Sequence, residues 1–226
     1  IEAEMLCAFR SGGAEAPAYT SIVASGANAC VLHYVFNNKP LKDGDMLLID
    51  AAAEFGSYAA DITRTFPVNG RFSAAQKDAY ELVLAAQAVA IGAVHPGSHW
   101  NAPHQAAVRM LTQGMVDFGL LHGEVDGLIE SGAYNRFYMH RTGHWLGLDV
   151  HDAGEYKLHG KWRELVPGMT LTVEPGLYIR PADDVPEALW NIGIRIEDDV
   201  AVTESGCEVL TTPPKTVAEI EEWMKA

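Results

Sequence analysis

The chain has 226 residues, 48% of them apolar, and a formal net charge of −14. That length supports a large buried core in one soluble α/β-type unit, and the acidic balance argues against a broad polyanion-binding face, excluding nucleic acid and anionic membrane as partners. No apolar run approaches the about eighteen residues of a membrane span and the N-terminus lacks a signal-peptide layout, so a cytoplasmic protein is expected. The chain opens at Ile1 in what reads as mid-helix, which implies a missing upstream portion. The stretch Ser21 to Val35 reads as short strands around Gly26. Leu41 to Asp50 turns at Gly44 and climbs through Leu47, Leu48 and Ile49 to a carboxylate. A hairpin centred on Phe55-Gly56 then returns to Asp61.

Ser73-Ala74-Ala75-Gln76 is a capping box that starts a helix of about twenty residues. Its apolar stripe is Leu82, Val83, Ala86, Val89 and Ala90, and His95-Pro96-Gly97 stops it. A second helix starts near Asn101, carries Ala106, Val108, Leu111 and Met115, and ends at Gly119. Met139 to Asp152 holds three histidines. Leu165 to Glu174 repeats the earlier approach segment: Leu, a Gly turn, Leu171, Val173 and an acid. Ile192 to Thr203 is its partner strand, ending in the turn Glu204-Ser205-Gly206, and Val217 to Met224 is a terminal helix. Cys7, Cys30 and Cys207 are odd in number, lack CxxC spacing and read as buried thiols of a reducing compartment.

The repeated segment predicts two related α/β halves, roughly 1–119 and 120–226, meeting at a cleft. The first hairpin sets Asp50 opposite Asp61. In the second, pairing about the loop Pro181 to Asn191 sets Tyr178 opposite Gly193 and Glu174 opposite Glu197. Directly opposed like charges have Cβ atoms about 5 Å apart and destabilise a bare sheet, so two such pairs require a compensating cation or a shared proton. Hard carboxylate oxygens favour Mn, Mg or Ca, and one added imidazole shifts the preference toward Mn, Fe, Co or Zn. The three-histidine segment supplies that imidazole. Side chains two apart on a strand share a face, which puts Thr63 beside Asp61, Arg195 beside Glu197, Thr172 beside Glu174 and Leu48 beside Asp50. Taken singly, a strand-end acid is an ordinary solvated charge, and Asp198-Asp199 is read that way. His95, His99, His104, His122 and His159 are read as ordinary surface or core histidines, and Trp145 and Tyr178 as core.

The segments Asp-Ile-Thr-Arg-Thr-Phe from Asp61, Gly-His-Trp-Leu-Gly-Leu-Asp-Val-His-Asp around His144, Glu-Pro-Gly-Leu-Tyr from Glu174 and Gly-Ile-Arg-Ile-Glu-Asp-Asp around Glu197, together with Asp50, resemble the catalytic domain of bacterial Xaa-Pro aminopeptidase (aminopeptidase P). The resemblance covers essentially the whole chain. It implies an α+β pita-bread fold, with two pseudo-twofold halves around a curved antiparallel sheet and helices outside. It also implies two divalent metal ions, manganese first and Co, Zn or Fe as substitutes. Asp61 and Glu197 would bridge the ions, Asp50 would chelate one, and His144 with Glu174 would complete the other. The reaction implied is cleavage of the bond before a proline at the second position of a peptide, by a hydroxide bridging the metals. Glu174 would shuttle the proton, His151 would stabilise the oxyanion, and His33 and His140 would contact substrate near the leaving nitrogen. In the family an N-terminal domain precedes the catalytic one and helps build a homo-oligomer; this chain carries no counterpart. Arg141 departs from the pattern, many relatives having Gly there. Prolidase and methionine aminopeptidase share the five ligands, and some pita-bread modules bind peptides or proteins without metal. Cleavage of a tripeptide, release of Met from Met-Ala, and metal content separate these alternatives.

Overall fold

Two antiparallel hairpins, each broken near its acidic residues, organise the protein, described here for residues 1–225 in a computed structural model. In chain order the main elements are α1 (Glu2–Ser11), β1 (Ile22–Ser25), β2 (Met46–Asp50), β3 (Thr63–Pro67), α2 (Ala74–Gly92), α3 (Ala102–Asp117) and α4 (Val125–Glu130). They continue with β4 (Thr170–Val173), β5 (Gly176–Ile179), β6 (Ile192–Arg195), β7 (Asp198–Val202), β8 (Cys207–Val209) and α5 (Val217–Trp223). All named pairings are antiparallel: β1-β2-β3 form one sheet, β8-β7-β4 a second, and β5-β6 a ribbon.

The first hairpin corrects the expected register. Asp50 pairs with Thr63 and Leu48 with Thr65, while the tip pairs Glu54 with Ala59 and Phe55 with Tyr58. The turn is therefore Gly56-Ser57, whose φ angles of 58° and 66° are both positive. A two-residue hairpin turn of the primed type needs that conformation at both central residues, which Gly and Ser accept far more readily than Phe55 would. The shift is two residues, so every side chain keeps its face, and Asp61 lies diagonal to Asp50 rather than opposite it. The second hairpin keeps the expected register. Tyr178 pairs with Gly193, Gly176 with Arg195 and Val173 with Asp198. Glu174-Pro175 and Ile196-Glu197 fall in the gap between the two ladders.

Strand β1 stops at Ser25, paired with Leu47, because Gly26 takes the backbone out of the extended region at φ 57°. The chain instead winds through a 3-10 turn at Gly26–Cys30, in place of the second strand expected there. The helix predictions hold closely: α2 starts at the Ser73–Gln76 capping box and α5 at a second box, Thr216–Glu219. The buried face of α2 is Ala79, Tyr80, Val83, Ala86, Gln87 and Ala90; Val89, placed in the stripe, is exposed because it lies one residue off that face.

Helices α2 and α3 pack with Leu111, Met115, Val83 and Tyr80 against Leu177, Ile179 and Ile194 of the ribbon, forming the largest core. A second core joins Trp100 and Trp145 to Val173 and Val200, and a third packs Ile22, Ala24 and Leu48 against Tyr178. Of the three cysteines only Cys30 is fully buried. Cys7 is exposed on α1, a helix with no buried residue, and Cys207 is half-buried. Among the described residues no helix is long and apolar enough to cross a membrane.

Candidate metal centre

The acids meet because strand β3 lies beside β6 and the break that follows it. The Glu197 N–H donates to the Thr63 carbonyl at 3.1 Å, and the Thr65 hydroxyl donates to the Arg195 carbonyl at 3.0 Å. These bonds carry the end of the first hairpin to the gap in the second. The three-histidine segment arrives as an extra strand along β4. The Thr172 N–H donates to the His144 carbonyl at 3.0 Å while the His144 N–H donates to the Thr172 hydroxyl at 3.1 Å, Trp145 bridges to Leu171, and the Glu174 N–H donates to the Thr142 carbonyl at 2.8 Å. Gly143 permits this approach, since a Cβ there would stand 2.1 Å from the Thr172 carbonyl oxygen.

Three groups of potential metal donors result, each with its ligand atoms within 4.8 Å of one another: Asp50, Asp61 and Glu197; His144, Glu174 and Glu197; and Asp61, His144 and His151. Asp61, His144 and Glu197 each belong to two groups. The His144 Nδ1 is bonded to the Trp145 carbonyl at 2.9 Å. That bond orients the ring and leaves Nε2 facing Asp61 at 3.3 Å and Glu174 at 3.7 Å. Oxygen donors in excess with one or two imidazoles suit a divalent first-row cation.

The electrostatics fit such an ion. Glu197 is 1% exposed, and burial together with Asp61, Glu174 and Asp50 pushes its carboxyl well above the ordinary range. Glu174 is raised by burial and by Asp61 and Asp50, against the pull of His144 and Arg195. Burial opposes charge on His144, but the hydrogen bond to Asp61 and the Glu174 charge outweigh it and hold the ring at about 9. The one guanidinium in contact with the acids, Arg195, gives its Nη2 to Asp50 at 2.6 Å. Among the described residues the remaining carboxylates have no cation other than His144 at ion-pair distance, which is the situation a bound divalent ion relieves.

A cavity of about 540 Å³ collects nearly all the residues singled out from sequence: His33, Asp50, Asp61, His140, His144, His151, Glu174, Arg195 and Glu197 line it. Thr63 sits beneath, its hydroxyl donating to Glu197 Oε2 at 2.7 Å. Arg195 does not pair with Glu197 as its parity suggested. Its side chain is long enough to reach Asp50 across the sheet, while its Nε donates to the Thr63 hydroxyl at 3.2 Å and its Nη1 to Tyr178 Oη at 2.9 Å. His140 is engaged at both nitrogens, with the Arg141 carbonyl at 2.7 Å and Tyr178 Oη at 2.8 Å; burial and then the Arg195 charge hold its pKa down to about 3. His151 packs edge-on against His144, with ring centroids 4.3 Å apart.

Asp198 and Asp199 are the main correction at the site. Both are buried rather than solvated: cations from distant elements neutralise Asp198, whereas Asp199 has no cation at ion-pair distance among the described residues and burial raises its carboxyl to about 7. Asp198 takes Arg64 Nη2 at 2.7 Å and Lys215 Nζ, and Asp199 accepts the Asp61 N–H at 3.1 Å. Gln87, a polar residue on the buried face of α2, donates to the carbonyls of Val173 and Ile196 at 3.3 Å, one on each strand where the ladder breaks. Its place within an apolar stripe was the signal in the sequence. Tyr19, which donates to Asp50 Oδ1 at 2.5 Å, gave none.

The sequence pattern of metallopeptidase family M24 matches residues 1–204. The Xaa-Pro aminopeptidase of Haemophilus influenzae is 54% identical over 225 residues, covering 99% of this chain and 52% of that protein. The Xaa-Pro aminopeptidase of Escherichia coli is 48% identical over 227 residues, covering 100% of this chain and 51% of that protein. Among solved structures, aminopeptidase PepP of Pseudomonas aeruginosa matches with a TM-score of 0.98 at 60% identity, over 99% of this chain and 51% of that one. The chain thus spans about half the length of the relatives it matches, and shares with them the α+β pita-bread fold expected from its motifs. The chain belongs to metallopeptidase family M24.

Proposed function

We propose that the protein is a dinuclear metallo-aminopeptidase that hydrolyses the bond between an N-terminal residue and a following proline. The observation that carries this reading is the overlap of donor groups in one cavity, where Asp61 and Glu197 are each shared by two groups. They would bridge two ions, Asp50 would complete one site, and His144 with Glu174 the other. Manganese is the expected ion, given mostly hard oxygen donors with one imidazole. Ions held there would polarise the scissile carbonyl and lower the pKa of water. The curated relatives' names point to the same reaction.

The chain's own residues divide the remaining work. Glu174, whose carboxyl is raised by burial, accepts a proton from the attacking water and passes it to the leaving nitrogen, as general acid–base catalysis near neutral pH requires. His151, kept neutral by burial and by His144, donates an N–H to the carbonyl oxygen as charge develops on it. His33 and His140 frame the leaving side, with His140 held in one orientation by Tyr178. Thr63 and Arg195 keep Glu197 and Asp50 aligned. Leu32, Trp100, Tyr156 and Trp162 give the cavity an apolar wall suited to a pyrrolidine ring. A cytoplasmic setting fits the three free thiols.

The test is to strip the protein with a chelator, add back single metals, and assay a panel of Xaa-Pro and Xaa-Ala peptides. Turnover restored by manganese and confined to Xaa-Pro peptides is expected, with a tripeptide cleaved as well as a dipeptide. No proline preference with any metal would overturn the reading, and cleavage of dipeptides alone would make the protein a prolidase.

A further inference from the structure

The cavity holds a second arginine whose charge the metal centre does not use. Arg195 is committed to Asp50 and Tyr178. Arg141, which also lines the cavity, has no carboxylate within ion-pair distance among the described residues. Its guanidinium rests 5.3 Å from the Trp162 ring centroid, and its Nη2 donates to the neutral amide of Asn101. Lys157 Nζ lies 4.2 Å from the centroid of the same ring. Behind Trp162 the wall continues through Trp100 and Tyr156, whose centroids are 4.7 Å apart. A guanidinium has five N–H donors; one is used here and the group is held in place by an aromatic face and an amide. That arrangement leaves a pre-oriented fork for a planar anion.

From this geometry we infer that Arg141 forms a carboxylate-binding subsite at one side of the cavity, which selects short peptides with a free C-terminus. The inference rests on the reading of the cavity as a peptide site and adds the substrate class. The cavity gathers four carboxylates, Asp50, Asp61, Glu174 and Glu197, against a single uncommitted arginine. A short zwitterionic peptide lying with its amino end toward the acids and its carboxylate toward Arg141 has both charges matched. A peptide whose chain continues past the cavity leaves Arg141 without an anion. The volume of about 540 Å³ is that of a small-ligand site.

The experiment compares an Xaa-Pro-Leu tripeptide with its C-terminal amide, and adds an amidated Xaa-Pro-Glu peptide. The manganese-loaded wild type and the Arg141→Gln and Arg141→Lys variants are assayed in parallel. The wild type is expected to favour the free acid over the amide by about tenfold in kcat/KM, carried mainly by KM. In Arg141→Gln the ratio collapses to about one, and in Arg141→Lys it recovers in part, because the charge returns without the fork. A tenfold advantage for the amidated glutamyl peptide over the amidated leucyl peptide keeps the carboxylate subsite and assigns its ligand to a side chain. Calorimetric titration with Pro-Leu and Pro-Leu amide reads the same ratio without turnover. If no peptide is hydrolysed, the proposed activity fails and the titration still decides the subsite. Equal affinity for acid and amide in the wild type with no glutamyl advantage, or a ratio unchanged in Arg141→Gln, overturns it.

Discussion

The two acidic hairpins start from the same sequence device and settle their charges differently. Asp50 of the first receives Arg195 at 2.6 Å and the Tyr19 hydroxyl at 2.5 Å. Glu174 of the second has imidazoles as its ion-pair-distance partners among the described residues, His140 and His144, each at 3.7 Å, and Glu197 has the Thr63 hydroxyl. Asp50 of the first hairpin is therefore neutralised by the chain's own groups, an arginine supplied by β6 of the second hairpin and a tyrosine hydroxyl. In the second, burial and the neighbouring acids push both carboxyls upward, so it depends on positive charge from outside the chain. The difference predicts that loss of the Asp50 ion pair shows first in folding stability, and loss of a carboxyl of the second hairpin in metal binding and turnover.

The largest expected effect lies in the second hairpin. Glu174→Gln keeps the shape and removes the titratable oxygen, so kcat on an Xaa-Pro peptide should fall by about 10²–10⁴, measured alongside metal content. A variant that retained metal and full turnover would remove Glu174 from proton transfer.

Next in size is a paired measurement on metal-free protein. Arg195→Met leaves Asp50 buried without its cation and should cost about 3 kcal/mol in chemical denaturation. Glu197→Gln replaces a carboxyl already favoured in its neutral form, and should change metal-free stability by less than about 1 kcal/mol while sharply weakening metal binding. Equal destabilisation by both substitutions would erase the distinction between the hairpins.

Smaller again is the effect of Gln87→Leu, which removes donors from the Val173 and Ile196 carbonyls and from Asp198 Oδ2. A loss of about 2 kcal/mol is expected in thermal or denaturant unfolding. Gln87 thus satisfies carbonyls on both strands where the ladder of the second hairpin breaks beside Glu174 and Glu197.

What was legible in the sequence follows the range of the interactions. The capping box at Ser73 and the second hairpin's register rest on local patterns and were read correctly. The first register slipped by two because the turn depends on which pair tolerates positive φ, a condition that alternation of apolar residues does not encode. Asp198 and Asp199 read as solvated because their compensation is remote: Arg64 lies 134 positions from Asp198 in sequence. Tyr19 escaped notice for the same reason, reaching Asp50 from 31 positions away. Strand parity placed Arg195 on the correct face, but parity locates a Cβ, and a side chain of that length chooses its partner by charge.

The smallest predicted effect concerns acid stability behind the second hairpin. His104 Nδ1 bonds the Thr142 hydroxyl at 2.8 Å, and the Thr142 carbonyl receives the Glu174 N–H. Burial, and after it the Arg141 charge, lower the His104 pKa from about 6.5 to about 4. The folded protein thus favours the neutral ring, and the unfolded chain binds the proton more readily. The stability this contributes is complete above pH 6.5 and is lost as pH falls from about 6.5 toward 4. His104→Gln keeps a polar partner for Thr142 and removes the titration, so the variant should lose less stability than the wild type across that window, by roughly 1–2 kcal/mol at pH 4. Urea unfolding of both proteins at matched pH, without metal, gives the difference directly. Parallel curves would mean that the ring reaches solvent when protonated, and that the second hairpin does not rest on a neutral imidazole.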